Sequence, residues 1–136
     1  IYAECGGMML LGNSIRDEEG QNHNLSGVLP FSFRKGSLQV GYRHLSVIND
    51  SLLVNSNESF IGHEFHRWEL IRSSNSFEET INQSLLIPLW MVKSSFQKER
   101  KEGWSGLYLH ASWIHLHWAS NIEIARRWRK VIESTS

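Results

Sequence analysis

The stretch IYAECGGMMLLG constrains the fold of this chain most. A strand-like run ends at Glu4, Cys5 is followed at once by Gly6-Gly7, and Met8 to Leu11 resume as a short helix. A strand that turns into a helix this sharply strains the residue on the turn and needs small neighbours around it. Ala3-Glu4-Cys5-Gly6-Gly7 has that form: small, any, nucleophile, small, small. Such a turn exposes a nucleophile while holding it rigidly. The helix that follows aims its free amides at the thiol, which is expected to lower the thiol pKa and to supply a donor for an oxyanion. The competing reading of a lone cysteine is a small buried hydrophobe.

The rest of the chain extends an α/β pattern. Strand-like runs bounded by turn residues cover Val28–Phe33, Leu38–His44 and Phe60–Leu70, with Arg34–Ser37 (RKGS) as the hairpin turn between the first two. Asp17–Leu25 is polar and reads as loop. Ser73–Ser84 reads as a surface loop or short exposed helix. Pro88 demotes Leu85–Val92 to an edge strand or irregular segment. Leu107–Trp118 reads as a buried strand. A last helix starts at Ser120, with Glu123 completing a capping box, and carries an apolar stripe of Ile124, Ala125, Trp128, Val131 and Ile132.

Composition excludes several classes of function. Fourteen basic residues balance fourteen acidic ones, so charge makes no case for nucleic acid or an anionic membrane. No apolar run is long enough to span a bilayer, and no signal-peptide pattern opens the chain. A single cysteine forms no internal disulfide. The start without Met suggests a piece of a longer, cytoplasmic protein.

A cysteine nucleophile needs a base, and histidines supply the candidates. Five of seven lie in two aromatic-rich clusters: GHEFHRW, with His63 and His66, and LHASWIHLHWAS, with His110, His115 and His117. In a strand, His115 and His117 would share one face. His23 and His44 read as structural. HEFH spaces its histidines by three rather than the four of the helical zinc motif, so no metal site is expected.

Taken in order, YAECGGMMLLG, VGYRH, GHEFHRW and HASWIHLHWAS resemble the C-terminal part of cobyrinic acid a,c-diamide synthases, class I glutamine amidotransferases of corrinoid biosynthesis. The resemblance runs from Ile1 to about Ser120, although Ser73–Gly103 adds nothing to it. It implies the C-terminal part of a flavodoxin-like amidotransferase domain, with L-glutamine as substrate. It also implies a synthase domain outside this chain, which uses ATP and Mg²⁺ to activate the corrin a and c carboxylates. Within the chain it implies Cys5 as nucleophile, His115 as base and Gly6 as oxyanion donor. His117 stands where many class I enzymes have an orienting glutamate, which implies a Cys–His dyad. Met9 stands where many relatives have a glutamine-binding Gln. His63, Glu64 and His117 are expected in the site wall, with a domain interface or structural packing as the alternatives for GHEFH, and Glu64 is a candidate to orient a histidine. The second oxyanion donor of such families comes from an earlier glycine-rich loop, so the isolated chain is expected to be inactive. The amidotransferase of a related enzyme (a cobyric acid synthase or a nickel-tetrapyrrole diamide synthase) and a non-catalytic interaction module are the alternatives.

Overall fold

The computed structural model describes residues 1–71, 85–94 and 98–134. It is an α/β arrangement built on one mixed sheet of nine strands. In chain order these are β1 (Tyr2–Glu4), helix α1 (Gly6–Leu10), β2 (Ser14–Arg16), β3 (Asn22–Asn24), β4 (Ser32–Val47), β5 (Ser59–Leu70), β6 (Ile87–Lys93), β7 (Arg100–Gly106), β8 (Leu109–Ser112) and β9 (Ile114–Leu116). A 3-10 turn (Trp118–Ser120) and helix α2 (Ile122–Ser134) follow. The sheet runs β1-β8-β7-β6-β4-β2-β3, with β5 paired to both β4 and β9. The β1–β8 and β2–β4 pairs are parallel and the other pairs antiparallel.

Several sequence expectations are corrected. RKGS is no hairpin turn: Arg34–Ser37 lies inside the single long strand β4, where the register against β5 shifts between Lys35 and Gln39. Gly36 therefore marks a bulge, the usual meaning of a glycine within a strand. Residues 28–31 precede that strand; Leu29 is buried, and its amide bonds Leu11 O instead. The polar loop contains β3, which pairs with β2 although Asn22-His23-Asn24 has no apolar alternation. Pro88 sits in an interior strand rather than an edge. It lies at the start of β6, outside the Trp90–Lys93 stretch that pairs with β4, so that ladder loses no donor. Leu107–Trp118 is two short strands broken at Trp113, with different partners. The cap of α2 is Asn121, whose Oδ1 accepts the Glu123 amide at 3.0 Å, while Ser120 Oγ donates to His117 O. The expectation for Ser73–Ser84 falls on residues outside those described.

Two apolar clusters form the core. One joins Leu45, Val47, Leu89, Trp90, Ile114 and Leu116 to Ile124, with Trp128 and Val131 of α2 packed against it. The other joins Ala3, Met8 and Met9 to Phe31, Phe33, Ala111 and Trp113, with Cys5 at its margin. Along β4 the inward positions run from Phe33 in the second cluster, through buried Arg43, to Leu45 and Val47 in the first. Of the expected α2 stripe, Ile132 is exposed. On the same helix, Arg127 grips Glu58 with both terminal nitrogens at 2.7 Å.

Gly62 fixes how closely β5 and β9 approach. A Cβ there would lie 2.2 Å from Ile114 Cγ2 and 3.1 Å from His115 O. Gly62→Ala is therefore expected to lower stability by about 1–3 kcal/mol, read as a reduced urea midpoint; an unchanged midpoint would contradict this packing.

Candidate functional site

Cys5 occupies the turn that the sequence requires. Its φ is 49° and ψ −113°, a positive-φ conformation that a non-glycine residue adopts at a cost. Its amide is held by Ser112 O at 2.8 Å, which ties the elbow to the end of β8. The thiol donates to Phe65 O at 3.6 Å. The Gly6 amide faces the sulfur and acts in the expected direction, but the net shift is opposite to expectation. Burial pushes the Cys5 thiol up, and the charges of Glu4 and Glu64 add to it. A five-residue helix does not offset that desolvation. The cysteine therefore rests as a thiol and needs a base to react.

His115 is half-buried on β9, opposite His63 in register. Its Nδ1 bonds the carbonyl of His63 at 3.0 Å. Because a carbonyl only accepts, Nδ1 carries the proton, and Nε2 of the neutral ring is left as the lone-pair nitrogen. The rings of His63 and His115 lie 6.4 Å apart, nearly parallel. His63 O and Phe65 O are two residues apart on β5, so they leave the strand on the same edge, about 7 Å apart. One edge of β5 thus anchors both the imidazole and the thiol. His117 is not part of this arrangement. It lies past the end of β9, exposed, with its carbonyl starting the 3-10 turn, so the shared strand face expected for it is not formed.

The GHEFH segment divides by strand alternation. His63 and Phe65 face outward, where His63 meets the ring of exposed Tyr42 at 5.4 Å. Glu64 and His66 face inward and are buried. Glu64 accepts from Arg43 Nε at 2.7 Å, His66 Nε2 at 2.9 Å and Arg100 at 2.6 Å. It thus orients a histidine, but that histidine is His66. The other nitrogen of His66 faces Trp68 O at 2.7 Å, so both ring nitrogens meet an oxygen. Glu64, His66 and Arg100 border a cavity of about 560 Å³ walled also by Arg34, Trp68 and Trp113.

Burial alone would raise the Glu64 carboxyl, but hydrogen bonds from His66, Arg100 and Arg43 and the nearby charge of Arg100 hold it at about 2. A depressed carboxyl stabilises the fold above its unfolded pKa of about 4.3, and that contribution fades as pH falls towards 2. Glu64→Gln also leaves buried Arg43 without its counter-charge, which typically costs about 3–5 kcal/mol. The variant is expected to be less stable at pH 7, with the difference from wild type shrinking between pH 4.5 and 2. A pH-independent difference, measured by urea unfolding, would contradict this.

Two carboxylates carry structure that the motifs did not reveal. Glu4, the unspecified residue of the elbow pattern, accepts the Leu116 amide at 2.7 Å and the Tyr2 hydroxyl, joining the cysteine strand to the histidine strand. Buried Glu102 accepts from Trp90 Nε1, Ser112 Oγ and the Trp113 amide, fixing the break between β8 and β9. Burial raises its carboxyl despite these bonds. The one signal for Glu102 was a carboxylate among the glycines and tryptophan of Glu102–Gly106.

Residues 1–122 match the CobB/CobQ-like glutamine amidotransferase domain. The chain belongs to this family. The mixed sheet, with its strand–cysteine–helix turn, fits the class I amidotransferase fold of that family. Among curated relatives, the family member from Gloeobacter violaceus named cobyrinate a,c-diamide synthase is 35% identical over 128 residues, 93% of this chain and 25% of its own length. Those of the same name from Synechocystis sp. and Saccharolobus solfataricus are 33% and 32% identical, covering 94% and 88% of this chain. The chain spans about a quarter of the length of these curated relatives. Membership supports a glutamine amidotransferase role for these residues. Among the described residues, no helix is long and apolar enough to cross a membrane.

Proposed function

We propose that this chain supplies ammonia from glutamine through a Cys5–His115 dyad, as the glutaminase part of an ATP-dependent cobyrinic acid a,c-diamide synthase. The observation that carries the dyad is the shared β5 edge, where His63 O receives His115 Nδ1 and Phe65 O receives the Cys5 thiol. His115 Nε2 takes the thiol proton as sulfur attacks the side-chain carbonyl carbon of glutamine. A C–S bond forms, and the Gly6 amide stabilises the oxyanion. Collapse of this intermediate breaks the C–N bond, and the nitrogen leaves as ammonia with the proton from His115. Water, deprotonated by His115 Nε2, then attacks the thioester; the C–S bond breaks, glutamate leaves, and His115 returns the proton to the Cys5 sulfur.

ATP and Mg²⁺ belong to the synthase part of the reaction, outside these residues. The one Gly-Gly step of this chain opens α1 with the Gly6 amide on the Cys5 sulfur, so it serves the thiol rather than a phosphate. The relatives' shared name supports the corrinoid as acceptor. The test is to supply the full-length protein with glutamine, Mg-ATP and cobyrinic acid and to follow product mass. Two successive amidations are expected. Amidation of cobyric-acid precursors or a nickel tetrapyrrole instead would keep the glutaminase and change the acceptor, and no glutamine hydrolysis with any acceptor would favour a docking module.

A further inference from the structure

We infer that Glu64 is a positioning residue for the Cys5–His115 pair, pinning the register of β5 so that the carbonyls of His63 and Phe65 meet the imidazole and the thiol. The inference rests on the dyad reading above and goes beyond it, because Glu64 hydrogen-bonds neither residue. Its carboxylate is 1% exposed and draws its partners from three strands: Arg43 on β4, His66 on β5 and Arg100 on β7.

Register needs such a device here. A one-residue slip in a strand sends every side chain to the other face and every carbonyl to the other edge. In β5 that slip would carry both anchoring carbonyls away from Cys5 and His115. The backbone ladder resists it weakly on the catalytic side, because β9 meets β5 over only three residue pairs, Gly62–Glu64 with Ile114–Leu116. Apolar patterning resists it weakly too: the outward face of β4 and β5 carries Val40, Tyr42, Ile61 and Phe65, all exposed, so both faces hold large apolar groups. A buried carboxylate among cations is satisfied in one register only, and fixing register is the best-attested use of a buried ion pair.

The test is glutaminase kinetics in the full-length protein. Cys5→Ser and His115→Ala come first: if either keeps wild-type turnover, the dyad reading fails regardless of Glu64. With the dyad upheld, Glu64→Gln is expected to lower kcat about 10–100-fold, with KM within about threefold, because alignment is lost while the glutamine contacts remain. Arg100→Gln removes one partner from a one-third exposed position, which keeps folding safe. It is expected to lower kcat about three- to tenfold, again with KM retained. A wild-type kcat in folded Glu64→Gln overturns the inference. If Glu64→Gln does not fold, Arg100→Gln decides alone: a selective kcat loss supports the inference, and an unchanged kcat or a change confined to KM overturns it.

Discussion

In the full-length protein, Cys5→Ser is expected to abolish glutamine-driven amidation, by roughly 10⁴-fold or more, while ammonia-driven amidation stays largely intact. The thiol sits on a strained turn with its amide fixed by Ser112 O, so serine fits the same backbone but offers a far weaker nucleophile. Synthesis takes ammonia from any source, whereas glutamine is opened only at the sulfur. Product formation is measured with glutamine and then with an ammonium salt as nitrogen donor. A folded variant that uses glutamine normally, or that loses both activities, would contradict the assignment.

His115→Ala should lower glutamine turnover by about 10²–10⁴-fold, the usual worth of a general base. The raised thiol pKa makes the requirement stronger, because little thiolate forms at Cys5 without proton transfer. His117→Ala should cost much less, since that side chain lies exposed beyond β9. Iodoacetamide alkylation of Cys5 at neutral pH reports the same ranking. Equal slowing in the two variants would overturn the choice of His115.

The elbow was legible in the sequence because everything that makes it is local: strand, cysteine, two glycines and helix follow one another, and the positive φ at Cys5 is the consequence. GHEFH was equally local as part of the strand expected over Phe60–Leu70. Its meaning was not, because the partners of Glu64 stand 21 residues upstream at Arg43 and 36 downstream at Arg100. The pairing of His115 with His117 failed for a related reason. The two-residue repeat holds only while the strand lasts, and β9 ends at Leu116. The break at Trp113 that shortens it is set by Glu102 on another strand. RKGS and Pro88 misled because each is a turn or edge signal in isolation. In the fold, the first is absorbed by a bulge within β4, and the second lies just outside the β4–β6 ladder.

The most direct measurement of the central claim uses a glutamine-mimicking electrophile on the full-length protein, with the adduct located by mass spectrometry of the peptides. Modification is expected on Cys5, the only cysteine among these 136 residues. It should be blocked by glutamine, absent in Cys5→Ser, and slowed about 10²-fold or more in His115→Ala. Loss of glutaminase activity with Cys5 unmodified, or labelling of Cys5 that His115→Ala leaves at the wild-type rate, would contradict a Cys5–His115 dyad.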